Sequence, residues 1–430
     1  MSIGWMRATA IVASQALVVL ALMGLPQAAA AATDGAAPAT WYATWAASPF
    51  DAHSFPPAIF APTIDTVSNQ TVRQTITISR SGSQVRIRIS NEFGNTALHI
   101  GAASVSYRPA GTTKSKRVAL TFGGSPSMTI PAGAPIFSDA VSLKVPDGAD
   151  LEISLYFPDK TPISTYHLLG LQRSDVSGPG DFTMAESLPG AVSFEYVQKM
   201  FGQRFVARAF LSEVDVADPV PARTVVAFGD SITDGQGSTT DKNNRWPDFL
   251  ARRIAKAGLH LAVVNEGIGG NQVLANGLGV GALGRFDRDV LALPGASTVI
   301  MMEGINDIGF SGGMIPGLSR PDVIPPEDII QGYRQLIARS HARGLKIIGA
   351  TMTPFGGSPA FVPAKEAVRQ AVNKWIRTSG AFDAVVDFDS VTRDPQQPDR
   401  LRSDYASADN IHLNDAGYEA MASAVDLSGL

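Results

Sequence analysis

The sequence contains no cysteine, which removes disulfides, thiolate metal sites, cysteine nucleophiles and iron–sulfur clusters together. It is also sparing with charge. Only 17% of its residues are Asp, Glu, Lys or Arg, and the formal net charge is −4 with no basic block. That balance argues against nucleic acid or an anionic membrane surface as the main partner. Histidines number six in the whole chain. Past residue 32 no apolar run is long enough to cross a bilayer. What is there is a 430-residue chain that is 45% hydrophobic, so disorder is excluded for most of its length and two or three domains are expected.

Met1 to Ala32 has the three parts of a secretory signal. Arg7 supplies positive charge, Ala8 to Leu25 is mostly apolar, and Ala28 to Ala32 offers small residues for cleavage. Ser14, Gln15, Gly24 and Pro26 interrupt the stretch, which favours cleavage over a retained anchor. Residues 1–32 are therefore expected to be a signal peptide, and the protein to be secreted or periplasmic with no membrane contact afterwards.

From about Thr40 to Val216 apolar residues recur with period two. Val85, Ile87 and Ile89 alternate with Gln84, Arg86, Arg88 and Ser90, and Leu151, Ile153, Leu155 and Phe157 alternate with Glu152, Ser154 and Tyr156. Such strands bury one face and wet the other. Turn formers such as Ser81-Gly82-Ser83 and Asp147-Gly148 separate them. Residues 40–216 read as an antiparallel β-sandwich, jelly-roll-like. Ala217-Asp218-Pro219-Val220-Pro221 then marks a linker or tight join, because two prolines this close cannot continue a central strand.

Beyond the join, residues 223–430 alternate strands with helices. Buried strands are expected at Thr224–Phe228, Leu261–Val264, Thr298–Met302, Lys346–Thr351 and Ala384–Val386. One helical stripe runs Ile329, Ile330, Tyr333, Leu336, Ile337, and another Ala364, Val368, Ala371, Val372, Trp375, Ile376. The pattern predicts a five-stranded parallel sheet covered on both faces. Ligands of such sheets bind beyond the carboxyl ends of the strands.

The chemically able residues cluster there. Gly229-Asp230-Ser231-Ile232-Thr233-Asp234-Gly235 follows the first strand, where a serine can present its hydroxyl and its own N–H to one point. Asn265-Glu266-Gly267-Ile268-Gly269-Gly270-Asn271 ends the second, and its glycines let a backbone N–H approach a ligand. Gly304-Ile305-Asn306-Asp307 ends the third, with an amide able to meet developing negative charge. Asp409-Asn410-Ile411-His412 precedes a helical stretch, Ala416 to Val425. There an aspartate three positions upstream can take the Nδ1–H and leave Nε2 as a base. Taken alone, each could be an ordinary loop, cap or turn.

Together, in this order, the four blocks resemble the SGNH hydrolase superfamily, the GDSL esterases and lipases, over Thr224 to the C-terminus. The resemblance implies that Ser231 is the nucleophile, His412 the general base and Asp409 its orienter. It implies oxyanion donors at the N–H of Ser231, the N–H of Gly270 and the side chain of Asn306. Gly270 rather than Gly269 is chosen because the family's glycine lies five residues after the asparagine matched by Asn265. Asp230 and Asp307 would hold their loops. The resemblance implies no cofactor and no metal, and an ester substrate, small-molecule or polysaccharide. Trp41-Tyr42-Ala43-Thr44-Trp45-Ala46-Ala47-Ser48 ahead of a β-rich region is similar to a secreted bacterial subgroup that includes xylan-related acetylesterases. This leans the expectation toward acetyl esters of carbohydrates.

Rival readings are a broad lipase or arylesterase, a polysaccharide O-acyltransferase, and a carbohydrate-binding module on a degenerate scaffold. Gly-x-Ser-x-Gly is absent around Ser231, against an α/β-hydrolase elbow. Gly279-Val280-Gly281-Ala282-Leu283-Gly284 imitates a dinucleotide fingerprint, but no expected strand runs into it. Tyr166-His167 and Asp181-Phe182 are either packing residues or cleft lining, and His341 is expected to cap a helix or face solvent.

Overall fold

Alternating apolar residues build the first half of the chain as antiparallel sheets. The structure, a computed structural model, describes residues 40–52, 60–199, 202–220, 222–313 and 320–430. The expected signal segment and Pro221 of the join lie outside them. One five-stranded sheet runs Thr40–Ala46, Leu211–Asp218, Gly82–Ser90, Pro135–Phe137, with Val141–Val145 also paired to Gly82–Ser90. A six-stranded sheet runs Val192–Ser193, Ser174–Pro179, Gln70–Thr77, Asp150–Phe157, Ala102–Tyr107, Lys116–Leu120. Val85, Ile87 and Ile89 of the first sheet share one buried core with Leu151, Ile153, Leu155 and Phe157 of the second. A short strand, Thr165–His167, pairs with Phe50–Asp51 and Arg208–Ala209.

The far face of the six-stranded sheet departs from the expected wet surface. Arg73, Ser104 and Ser154 on that face are buried. Arg73 Nε donates to Ser154 Oγ at 2.9 Å, and its Nη2 donates to the Phe182 and Ala185 carbonyls at 2.8 and 2.7 Å. Ser104 Oγ donates to the Thr183 carbonyl at 2.6 Å. A loop over residues 181–186 thus covers the sheet, and polar side chains there satisfy its carbonyls. Alternation tells which residues point away from a core, not what covers them.

The second half follows the expected alternation. Its elements are β1 (Arg223–Gly229), α1 (Ser231–Asp234), α2 (Trp246–Lys256), β2 (Leu261–Gly267), α3 (Ala282–Phe286), β3 (Ala296–Met302) and α4 (Ile305–Phe310). Then come α5 (Pro326–Ala342), β4 (Lys346–Ala350), α6 (Pro363–Thr378), β5 (Ala384–Val386), α7 (Phe388–Thr392) and α8 (Asp415–Ala424). The sheet order is β2-β1-β3-β4-β5, all parallel. α5 buries the expected stripe. α6 buries Lys365, Val368, Arg369, Val372, Asn373 and Ile376, while Ala364 and Ala371 are exposed. The face is turned because Asn373 receives the Met352 N–H and Arg369 reaches Asp389 at 2.7 Å, polar anchors that apolar periodicity does not register.

The two halves interlock. The last strand of the first ends at Asp218 and β1 begins at Arg223. Ala43 N donates to the Pro294 carbonyl, and Thr224 Oγ1 donates to the Ala43 carbonyl, both at 2.9 Å. Ala43 and Ala46 lie in the α/β core, whereas Ala262 and Ile268 lie in the sandwich core.

Candidate active site

Strand β1 ends beside β3, and its last residue must be small. A Cβ on Gly229 would stand 2.2 Å from Thr233 Oγ1 and 2.5 Å from the Met302 carbonyl. The chain then enters α1, with Asp230 Oδ1 capping the Ile232 N–H at 2.9 Å. Ser231 is thereby the first helical residue, with its N–H left over by the helix geometry and its hydroxyl at the top of the sheet. Burial pushes the Asp230 carboxyl up to about 7, against the Ile232 hydrogen bond and the charges of His412 and Arg285.

Two loops 181 positions apart meet at this hydroxyl: His412 Nε2 lies 2.7 Å from Ser231 Oγ. The other ring nitrogen, Nδ1, lies 2.6 Å from Asp409 Oδ2. Asp409 is held in turn by its own loop, since its Oδ1 accepts the Ile411 and His412 N–H groups at 3.1 and 3.0 Å. Burial raises the Asp409 carboxyl, but the His412 hydrogen bond and charge and these backbone donors outweigh it and hold the group at about 2. Nε2 is engaged with the serine even in the resting site, a contact whose sequence separation spacing cannot supply.

The remaining expected residues lie in the segments that follow β2 and β3. Gly270 adopts φ +76, and a Cβ there would meet Leu278 Cδ1 at 2.2 Å, so only glycine fits. Gly269 N–H is taken by Asp234 Oδ2 at 3.1 Å. Among the described residues the Gly270 N–H and the Ser231 N–H have no hydrogen-bond acceptor, which favours Gly270 over its neighbour as a donor. Asn306 is nearly buried, and its Nδ2 donates one hydrogen to the Asn271 carbonyl at 2.9 Å, leaving the second for a ligand. Asp307 holds the second block by accepting the Val273 and Leu274 N–H groups at 2.7 and 3.1 Å. Its burial raises it to about 6 despite those donors. A serine in contact with a base can pass on its proton and attack a carbonyl, and donors of this kind can stabilise an oxyanion.

Beneath the site lies a residue the sequence did not single out. Arg285, 1% exposed, stands at the end of α3. Its Nη2 donates to the Gly229 carbonyl at 2.9 Å and Glu303 Oε1 at 3.1 Å. Nε reaches Asn271 Oδ1 at 2.9 Å, and Nη1 reaches Ser48 Oγ, the Glu266 carbonyl and Asp289 Oδ2 at 3.0, 2.7 and 3.2 Å. Burial raises the Glu303 and Glu266 carboxyls well above the ordinary range, against the opposing charge of Arg285. One guanidinium therefore ties the first residue of the serine block to the loop that holds Asn306. The glycine run Gly279–Gly284, which imitated a nucleotide fingerprint, leads into α3 and delivers Arg285.

Other histidines have carboxylate partners too. His99 pairs with Asp159 and His341 with Asp383, both on the exposed surface. His167 is buried against Asp234, and its neighbour Tyr166 stacks on Tyr196 inside the sandwich at 4.3 Å. Asp181 and Phe182 belong to the loop over the six-stranded sheet. Among the described histidines, His412 alone contacts a serine hydroxyl.

Residues 227–420 match the model of the GDSL-like lipase/acylhydrolase family. Solved structures with a similar fold include the lipase/acylhydrolase from Enterococcus faecalis, at 22% identity over 47% of this chain and 92% of that one, with TM-score 0.37. A member of the lipolytic G-D-S-L family from Veillonella parvula DSM 2008 gives 19%, 47%, 96% and 0.36. The acetyl xylan esterase AlAXEase gives the same four values, 19%, 47%, 96% and 0.36. No curated protein matches the chain. Residues 227–420 thus form a domain of the GDSL-like lipase/acylhydrolase family, a family of ester hydrolases.

Proposed function

We propose that the protein is a secreted serine esterase that cleaves carboxylic esters, chiefly short acyl esters of carbohydrates such as acetyl esters. The observation that carries the reaction class is the 2.7 Å contact of Ser231 Oγ with His412 Nε2, backed by the 2.6 Å contact of Nδ1 with Asp409. In this reading His412 takes the Ser231 proton as the hydroxyl attacks the ester carbonyl, then returns it to the leaving alcohol. Water repeats the sequence on the acyl-enzyme. The Ser231 and Gly270 N–H groups and the free Asn306 hydrogen stabilise the oxyanion in both steps.

The carbohydrate and acetyl preference rests on the sequence arrangement of Trp41 to Ser48 ahead of the β-region, and secretion on the composition of Met1 to Ala32. The Ser231–His412–Asp409 contacts favour an active enzyme over a binding module. The test is hydrolysis of p-nitrophenyl esters of increasing acyl length, with Ser231→Ala as control and an added polysaccharide as competing acceptor. Rates that fall steeply beyond acetyl, and vanish in Ser231→Ala, are expected. Preference for long acyl chains would make it a lipase, and acyl transfer to the polysaccharide in place of release to water an acyltransferase.

A further inference from the structure

His167 comes from the sandwich, yet it is buried against the serine block. Its Nδ1 lies 3.0 Å from the Ser48 carbonyl and its Nε2 3.0 Å from Asp234 Oδ1. A carbonyl and a carboxylate both accept, so satisfying both contacts calls for a proton on each ring nitrogen. Asp234 is itself 1% exposed, and its second oxygen accepts the Gly269 N–H at 3.1 Å. The next peptide unit carries the Gly270 N–H. A chain of contacts therefore runs from the Ser48 carbonyl through His167 and Asp234 to the peptide that presents a donor to the candidate oxyanion position.

We infer that His167 is a positioning residue for this site: its Nε2–H donates to and fixes the Asp234 carboxylate so that the Gly269–Gly270 segment keeps its N–H aimed at the ester carbonyl. The inference rests on the serine-esterase reading. Without that donor, the buried Asp234 carboxylate loses a hydrogen bond, which is costly, and it relaxes by leaving its place at Gly269. The β-region then contributes to catalysis through one side chain, not only through packing.

Two substitutions separate the two halves of the ring. In His167→Gln the amide nitrogen falls near the position of Nε2 and can still donate to Asp234, while the tie to Ser48 is lost. His167→Asn keeps a donor toward Ser48 and loses the one toward Asp234. With p-nitrophenyl acetate, His167→Asn is expected to lower kcat roughly tenfold with KM unchanged, a fraction of the roughly 10²–10³ lost with a whole oxyanion donor. His167→Gln is expected to stay within about threefold of wild type on that same scale.

Thermal unfolding of each variant is recorded, and rates are compared below the lower midpoint. The reverse ranking, equal losses, or two wild-type values of kcat overturns the inference. If either variant does not fold, heteronuclear NMR of histidine-labelled wild-type enzyme decides: a proton on His167 Nε2 supports it, and an Nε2 without one overturns it. Normal loss of activity in Ser231→Ala alongside a silent His167→Asn overturns this inference alone. Full activity in Ser231→Ala overturns the esterase mechanism and this inference with it.

Discussion

Asn306 spends one amide hydrogen on the Asn271 carbonyl, and that bond fixes where the other hydrogen points. Removing the side chain deletes a donor without disturbing the Ser231–His412 contact. Asn306→Ala should therefore lose roughly 10²–10³ in kcat with p-nitrophenyl acetate. An unchanged kcat would take Asn306 out of the site. Asp409 and His412 differ in the same way. Among the described residues the His412 imidazole is the base in contact with the Ser231 hydroxyl, whereas Asp409 is one of several restraints on the ring. Asp409→Asn should consequently cost less activity than His412→Ala, and equal losses in steady-state assays would contradict that ranking. Because Asp409 is held at about 2, it stays ionised through mildly acid pH and does not itself cause a fall in kcat/KM there.

At the scale of elements, α1 is a single turn whose cap carries an unusual charge. Asp230 titrates near 7 when folded, against an ordinary value of about 3.9. Between those values the native state keeps a proton that the unfolded chain has released, so stability falls as pH rises through the window. Asp230→Asn keeps the acceptor for Ile232 N–H and removes the titration. Its melting temperature should thus gain on wild type between about pH 4 and pH 7. A difference that does not move with pH would show that Asp230 does not hold its proton in the folded chain.

The strands and the Asp409–His412 turn were legible because their determinants are local: alternation fixes a strand, and a carboxylate three positions before a histidine fixes a turn. The inner face of α6 and the far face of the six-stranded sheet were not. What lies on them is polar and comes from distant segments, as with Arg73 beneath residues 181–186.

For the molecule as a whole, the buried Arg285 network joins the two halves. Its bond to Ser48 spans 237 positions, and the His167–Asp234 contact spans 67, which is why neither contact could be read from spacing. Arg285→Met would leave Glu303 without its buried cation contact, while Asp289 would keep Arg288. By analogy with broken buried pairs it should cost about 3–5 kcal/mol in equilibrium urea unfolding. A loss below about 1 kcal/mol, the scale of an exposed pair, would contradict the weight given to the network.

The whole account depends on Ser231 carrying the acyl group between its donor alcohol and water. Acid quenching during turnover of p-nitrophenyl acetate, followed by peptide mass spectrometry, examines that directly. One acetyl group on the peptide containing Ser231, lost in Ser231→Ala together with activity, is the expected result. Continued turnover in Ser231→Ala, or an acetyl group carried only on another residue, would contradict it.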